Sequence, residues 1–434
     1  MPDLRPFRAL RFATAAADLS EVLAPPYDII SPAERQALLA RDPHNVVRIE
    51  LPADPGQAGP DDYAAAAATA TEWRARGVLV QDAEPTVTVH EMRWTDGEGR
   101  DQTATGLLCR LGLEEYGPDA GVLPHEKTHG GAKADRYALL EATQINTSPL
   151  VFLAGSEPAA TSAALLALTA RDPDATGTTV DGVLHRLWVV PAEEAAPVLV
   201  LMSSAPVTIA DGHHRYETAL EFRRDRAAGR ASGAEAAWDF ALALIYPLDQ
   251  SPPALPTHRV VRGQPCGEDL LPRLASYGAI ERLPDREALL ARMAEPARFG
   301  DGATGTRRIG IYTGRDPVAV ILSVDREATD ALLGAGLSDA SRGLDVNALS
   351  VIVDKAYGAD ATELAANRQL WYVKDAAEAT SQVDAKEASA AFLLDEMPPA
   401  AISLVAEAGE VMPQKSTYFN PKAPTGLVLC PLEW

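Results

Sequence analysis

The amino-acid sequence predicts a mixed-sheet α+β protein. Three observations lead there. Strand-like and helix-like segments interleave along the chain, strand pairs joined by tight turn signals recur, and no internal repeat is visible. Interleaving alone would also suit a doubly wound parallel sheet, but frequent hairpins favour a mixed one.

The elements are read in order. Residues 62–76 form an Ala-rich helical stretch with Tyr63 and Trp73 as its large apolar residues. Residues 86–94 (TVTVHEMRW) and 104–113 (ATGLLCRLGL) read as strands, and the Asp96-Gly97 and Glu98-Gly99 signals between them mark a hairpin. Further strands are expected at 148–154 and at 183–190, with a helix at 157–170 between them. Downstream, short strands are expected at 308–313, 317–323, 369–373, 389–394 and 426–430, with a helix at 376–386. Trp188, Trp238 and Trp371 are assigned to the core. Pro/Gly-rich stretches at 52–62, 250–257 and 299–306 come nearest to linkers.

Composition bounds the function. The 434 residues carry 39 Lys+Arg against 61 Asp+Glu, a net charge of −22. At about 150 residues per domain, that length suits two or three domains. With 47% apolar and 23% charged residues the chain is globular. It lacks the run of about 18 apolar residues that a membrane span needs, and its start, MPDLRPFRALRF, lacks a signal-peptide core. Cys109, Cys266 and Cys430 are isolated, so neither a disulfide framework nor a thiolate metal knot is expected. The expectation is a soluble cytoplasmic protein with a small-molecule substrate. Neither nucleic acid nor membrane is expected as a partner, because binding nucleic acid needs clustered Lys and Arg.

The densest chemistry is PVTIADGHHRYETALEFRRDR at 206–226. Val207 and Ile209 end an apolar strand, Asp211-Gly212 turns, and apolar positions 216, 219, 220 and 222 suit a helix. Asp211 can cap that helix, and Gly212 permits a close backbone approach. His213, His214 and Arg215 then occupy the first turn, where each cation opposes the helix dipole by roughly 0.3–1 kcal/mol. Such a cluster makes sense if an anion, most naturally phosphate, sits there. The alternative is a solvated helix start.

The segment VLPHEKTHGGAKADRYALLEA, residues 122–142, contains His125-Glu126-Lys127-Thr128-His129, a literal H-E-x-x-H. A zinc site of that kind needs a continuous helix, which Gly130-Gly131 would stop. The favoured reading makes Glu126 a general base on a loop, flanked by His125, with Lys127 and His129 solvated. Four other clusters are weighed. Pro25-Pro26-Tyr27-Asp28 is a rigid turn that serves either geometry or a site. Arg136, after Asp135, is either an exposed ion pair or a fork for phosphate or carboxylate. Thr257-His258-Arg259 offers a basic pair. Lys415-Ser416-Thr417, with Lys422 nearby in a Pro-bracketed loop, suits phosphate or an amino-acid carboxylate. Neither a G-x-x-x-x-G-K-[ST] loop nor the protein-kinase H-R-D motif occurs.

These residues carry a resemblance. The strand–Asp-Gly-His-His-Arg–helix unit, with Pro-His-Glu upstream, resembles the nucleotide-dependent free-serine kinases of the ParB/sulfiredoxin-like superfamily. Nearly end to end, the chain resembles the bacterial domain-of-unknown-function family 1015. The marks of that family here are Ala24-Pro25-Pro26-Tyr27-Asp28-Ile29-Ile30-Ser31, Leu123 through Thr128, Asp135-Arg136, Ile209 through Tyr216, Pro256-Thr257-His258-Arg259 and Met412 through Phe419.

The resemblance implies a ParB/sulfiredoxin-like core at 116–265. An N-terminal α/β region with a hairpin (1–115) would precede it, and a C-terminal α/β region (266–434) would contribute to the site. It also implies phosphate transfer from ATP or ADP, with Mg²⁺, to the hydroxyl of free L-serine or a similar small amino acid. Glu126 would be the base, with His125 and Asp211 beside it, and Asp211 would either cap the helix or bind Mg²⁺. Gly212, His213, His214 and Arg215 would hold the nucleotide phosphates. Lys415, Ser416, Thr417, Arg136 and His258 would bind substrate, with the Lys415 loop folded back beside Asp211–Arg215. A phosphoserine phosphatase on the same site and a nucleotide-gated binding protein are the alternatives. Oligomeric state is left open.

Overall fold

The strongest hairpin signal forms as expected. In the computed structural model, Thr86–Thr95 pairs antiparallel with Asp101–Gly112, from Thr88 opposite Leu108 to Thr95 opposite Asp101. The structure describes all residues except 16, 98, 118, 127–132, 228–234, 264–268, 297–298, 300–303, 316–318, 335, 359–363, 365–367, 414 and 434. Lys127, Thr128, His129 and Cys266 therefore lie outside the described residues.

The chain divides into two compact units, Met1–Pro252 with Pro421–Trp434, and Pro253–Asn420. This differs from the three consecutive regions expected from sequence. The boundary near 115 disappears because Asp101–Gly112 pairs with Phe240–Pro247 inside one sheet. The C-terminal fourteen residues return to the first unit, which no consecutive division can express.

The first unit is built on a nine-stranded mixed sheet. Phe240–Pro247, buried along its whole length, runs antiparallel to Asp101–Gly112 and parallel to Leu150–Ala154. Val207–Asp211 continues the sheet, antiparallel to Leu150–Ala154 and parallel to Val122–Leu123. The other wing adds Leu184–Pro191 and Ala175–Thr178. One face packs Val87, Leu107, Cys109, Phe152, Trp188 and Tyr216 into a single core. The helices start where their sequences say they should. Ser31 and Glu34 close a capping box before Pro32–Arg41, and Pro60–Ala75 opens on a proline with Asp62 holding the Gly59 N–H. Trp73 on the latter helix is buried against Phe12, with ring centroids 5.9 Å apart.

The strand expected at 426–430 is not continuous. Thr425, Leu429 and Cys430 instead bond in turn to Ala24, Leu10 and Asn146. The segment thus staples three separate parts of the first unit, and no single partner strand runs beside it.

The second unit is a six-stranded antiparallel sheet. The expected strands appear there as Arg308–Tyr312, Ala319–Val324, Leu370–Val373 and Ala390–Leu394, and the expected helix as Ala376–Asp384. Trp371 is not core. It lies on the end strand, 44% exposed, with the Arg262 guanidinium 4.3 Å over its ring.

Candidate functional site

The sheet brings the two motifs together. In the parallel pairing, Val122 stands opposite Val207 and Leu123 opposite Thr208. Glu126 and Asp211 each follow three residues after the last pair, so both segments leave the sheet at the same end. Side chains close the join. The His125 N–H donates to His213 Nε2 at 3.2 Å, His125 Nδ1 donates to the Ile209 carbonyl, and the two rings meet edge to face at 4.6 Å.

Both imidazoles are buried. Burial, with His125 adding to it, holds His213 well below its ordinary pKa. Burial also lowers His125, against the Ile209 carbonyl and the Glu126 and Asp211 charges that favour its cation. At neutral pH His125 and His213 are therefore uncharged. His213, expected to bring a cation to the helix start, instead accepts a backbone hydrogen bond there.

The helix His213–Ala227 begins immediately after Gly212, whose φ of +97° is the left-handed geometry that glycine adopts freely. A Cβ at Gly212 would stand 3.1 Å from both Leu150 Cδ2 and Arg215 Nη2, so the position is sterically filled as well. The first-turn N–H groups of such a helix have no intrahelical acceptor.

The charge at this helix start comes from residues distant in sequence. Lys422 Nζ donates to Asp211 Oδ1 at 2.9 Å and to Asp28 Oδ2 at 3.1 Å. Arg215 Nη2 donates to Asp211 Oδ2 at 2.8 Å, and its Nη1 donates to the Pro149 carbonyl at 2.6 Å. Burial works to raise the Asp211 carboxyl, but Lys422 and Arg215, with His213, outweigh it and hold it below the usual carboxylate range. Lys422 is likewise raised, because Asp211 and Asp28 outweigh its burial. Both Asp211 oxygens are thus engaged by cations. The residue expected to cap the helix or bind Mg²⁺ anchors Lys422 and Arg215, and its donor set does not fit a metal. Among the described residues, no group of three or more His, Cys, Asp or Glu side chains could hold one.

A second layer supports this array. The Arg136 guanidinium lies 4.1 Å over the Tyr27 ring, donates to the Glu50 carbonyl at 2.8 Å and to Asp135 Oδ2 at 2.7 Å, and is buried. Tyr63 Oη donates to the other Asp135 oxygen at 2.7 Å. Glu50, also buried, accepts from Ser148 Oγ at 2.9 Å and from Thr147 Oγ1. Burial raises the Tyr27 phenol, against Arg215 and Arg136. Arg136 therefore fixes the Tyr27-Asp28 turn and does not present an open fork. Glu50, Arg136, Asn146, Ser148 and Arg215 line a cleft with Leu139, Ile145 and Ala219.

The remaining expected residues belong to the second unit. His258 is buried in a strand, with Nδ1 accepting from the Leu394 N–H at 3.2 Å. Ser416 is buried and donates to the Pro413 carbonyl. Lys415 is exposed at a positive φ of 56°, and Thr417 is half-buried. Sequence reasoning missed Glu50 and Ser148 altogether, weighed Asp28 as part of a turn serving either geometry or a site, and noted Lys422 only as a neighbour of Lys415. Glu50 gave no signal, whereas Asp28 and Lys422 both sit in proline-bracketed stretches.

Residues 4–347 match the family described as protein of unknown function DUF1015. The chain belongs to that family. No curated protein matches it. Among solved structures it is similar to a conserved hypothetical protein from Pyrococcus furiosus, at 13% identity and a TM-score of 0.32, over 70% of this chain and 90% of that one. A free serine kinase in complex with AMP matches at 13% identity and a TM-score of 0.32, over 71% and 89%. SbnI with a C-terminal truncation, from Staphylococcus aureus, matches at 11% identity and a TM-score of 0.31, over 70% and 82%. For this member of the family, no helix among the described residues is long and apolar enough to cross a membrane.

Proposed function

We propose that the protein transfers phosphate from ATP or ADP to the hydroxyl of free L-serine or a similar small amino acid. The observation that carries this reading is the parallel pairing of Val122–Leu123 with Val207–Asp211. That pairing supports a reading in which Glu126 works with the helix start after Gly212, where Lys422 and Arg215 are held by Asp211. Ligands of α/β sheets favour such crevices at the carboxyl ends of adjacent strands. The resemblance to free-serine kinases supports the same assignment.

In this reading the nucleotide phosphates lie on the N–H groups at the start of His213–Ala227, with Gly212 supplying the left-handed turn into that helix and Lys422 supplying charge. Glu126 accepts the acceptor's hydroxyl proton. The oxygen then forms a bond to the terminal phosphorus as the bridging P–O bond breaks and its electron pair leaves with the nucleotide. His214 and Arg215 stand in the same first turn; Arg215 acts by holding Asp211 and Pro149 in place. Any Mg²⁺ would arrive with the nucleotide, and no step is assigned to Asp211 as its ligand.

Replacing Glu126 with Gln tests the assignment. Loss of a general base costs about 10²–10⁴ in rate, so turnover should collapse while nucleotide affinity stays within a few-fold. A variant keeping more than half of the wild-type kcat would remove Glu126 from the mechanism.

A further inference from the structure

Among the described residues, the second unit contains a buried cation with no anionic partner. Arg259, on the strand His258–Val261, is buried. Its Nη1 donates to the Thr257 carbonyl and, at 3.0 Å, to Thr257 Oγ1, and its Nη2 reaches the Lys415 carbonyl at 3.5 Å. The Tyr372 ring lies 5.3 Å from its guanidinium. These partners satisfy hydrogen bonds, but none is an anion. No ion pair to Arg259 exists among the described residues. Two carboxylates whose charges reach the neighbouring His258 are committed elsewhere, Asp375 to the helix cap at Glu378 N and Asp395 to Arg308. Burial pushes the guanidinium down to about 10, so it remains protonated at neutral pH.

A second cation stands beside it. Lys374 comes directly after the strand Leu370–Val373 that carries Tyr372. Its ammonium lies 3.5 Å over the Tyr418 ring and, among the described residues, makes no ion pair. Tyr372 stands opposite Arg259 in the sheet, and Tyr418 pairs with Leu255 on the approach to Thr257. Arg259, Lys374, Tyr372 and Tyr418 thus form one patch of two cations and two ring faces, in a chain whose net charge is −22. A buried charge without a partner is expensive, and supplying the missing anion removes most of that cost.

We propose that Arg259 and Lys374 form an anion site in the second unit that takes a phosphate group. A planar fork and a point-charge ammonium together match a dianion with several acceptor oxygens. The ring faces would flank it and limit competing water. The proposal does not depend on the assignment of phosphoryl transfer to the first unit.

Calorimetric titration of the full-length protein with inorganic phosphate tests it, alongside Lys374→Ala and Arg259→Lys. Wild-type protein should bind in the millimolar range or tighter, and each variant should weaken binding about tenfold. Because Arg259 is buried, its variant could fail to fold; Lys374 is exposed, so Lys374→Ala then decides alone. A parallel titration of wild-type and Lys374→Ala protein with O-phosphoserine identifies the source, only the binding lost in the variant being counted for this site. Tighter binding than phosphate assigns an organic phosphate, and equal binding assigns the bare ion. Absence of phosphate binding up to about 20 mM, or affinity unchanged in Lys374→Ala, would overturn the site.

Discussion

Lys422 carries the most weight for a single residue in the first unit. Its ammonium joins two carboxylates that lie 394 and 211 residues away in sequence, and its side chain is only 10% exposed. No spacing rule connects such positions, so the sequence could show only that the lysine sits in a proline-bracketed loop. Removing one partner from a buried ion array typically costs about 3–5 kcal/mol. Arg215 still neutralises Asp211 in part, so the Lys422→Met variant should lose about 3 kcal/mol in urea unfolding. The pH dependence separates its charge from its packing. Lys422 is raised above 10.5 when folded. Its contribution is therefore complete below pH 10.5 and fades as the pH climbs through the folded value. Asp211 is lowered, so its share is complete above the ordinary carboxylate range and fades in acid. The variant should lose the alkaline limb. An unchanged alkaline limb would show that Lys422 is held by packing alone. His213 teaches the converse lesson. Its position in the first turn was legible, but its charge state was not, because burial against His125 makes it neutral.

At the scale of elements, the hairpin was readable because its turn dipeptides act locally. The helix Pro32–Arg41 went unread, although its Ser-x-x-Glu box is just as local. The strand Val122–Leu123 was not readable. Two residues carry no periodicity, yet this pair joins the segment that leads to Glu126 to the strand that ends at Asp211. The same limit hid the histidines shared by Thr86–Thr95 and Leu184–Pro191. His90 Nε2 and His185 Nδ1 are 3.0 Å apart, with rings stacked at 5.3 Å. Burial lowers His185 to about 4 and holds His90 well below 6.5, His185 adding to the latter. Both folded values lie below the unfolded one, so the unfolded chain takes up protons first. Stability should be complete above about pH 6.5 and should fall as the pH drops below it, by up to about 1.4 kcal/mol per pH unit for each histidine. Urea midpoints at pH 7 and pH 5 measure this. The midpoint should fall, and His185→Gln should flatten the fall; equal midpoints would contradict the buried neutral pair.

For the whole molecule, the α+β class was legible from interleaved elements, and the chain's division was not. The first unit is completed by Pro421–Trp434, and only a folded chain shows that the C-terminal segment staples Ala24, Leu10 and Asn146. Net charge of −22 sets the remaining constraint. An acidic protein that binds anions must hold its few useful cations at defined places, since its overall field repels them. Lys422 and Arg215 do this in the first unit through paired carboxylates. The central claim is that Glu126 and the helix start after Gly212 act together to move a phosphoryl group onto a small hydroxyl. Phosphorus NMR of the purified full-length protein with ATP or ADP, Mg²⁺ and free serine tests it most directly. A phosphoserine resonance should grow, matched by loss of the nucleotide's terminal phosphate. A spectrum in which the nucleotide stays intact on prolonged incubation, or releases only inorganic phosphate, would contradict it.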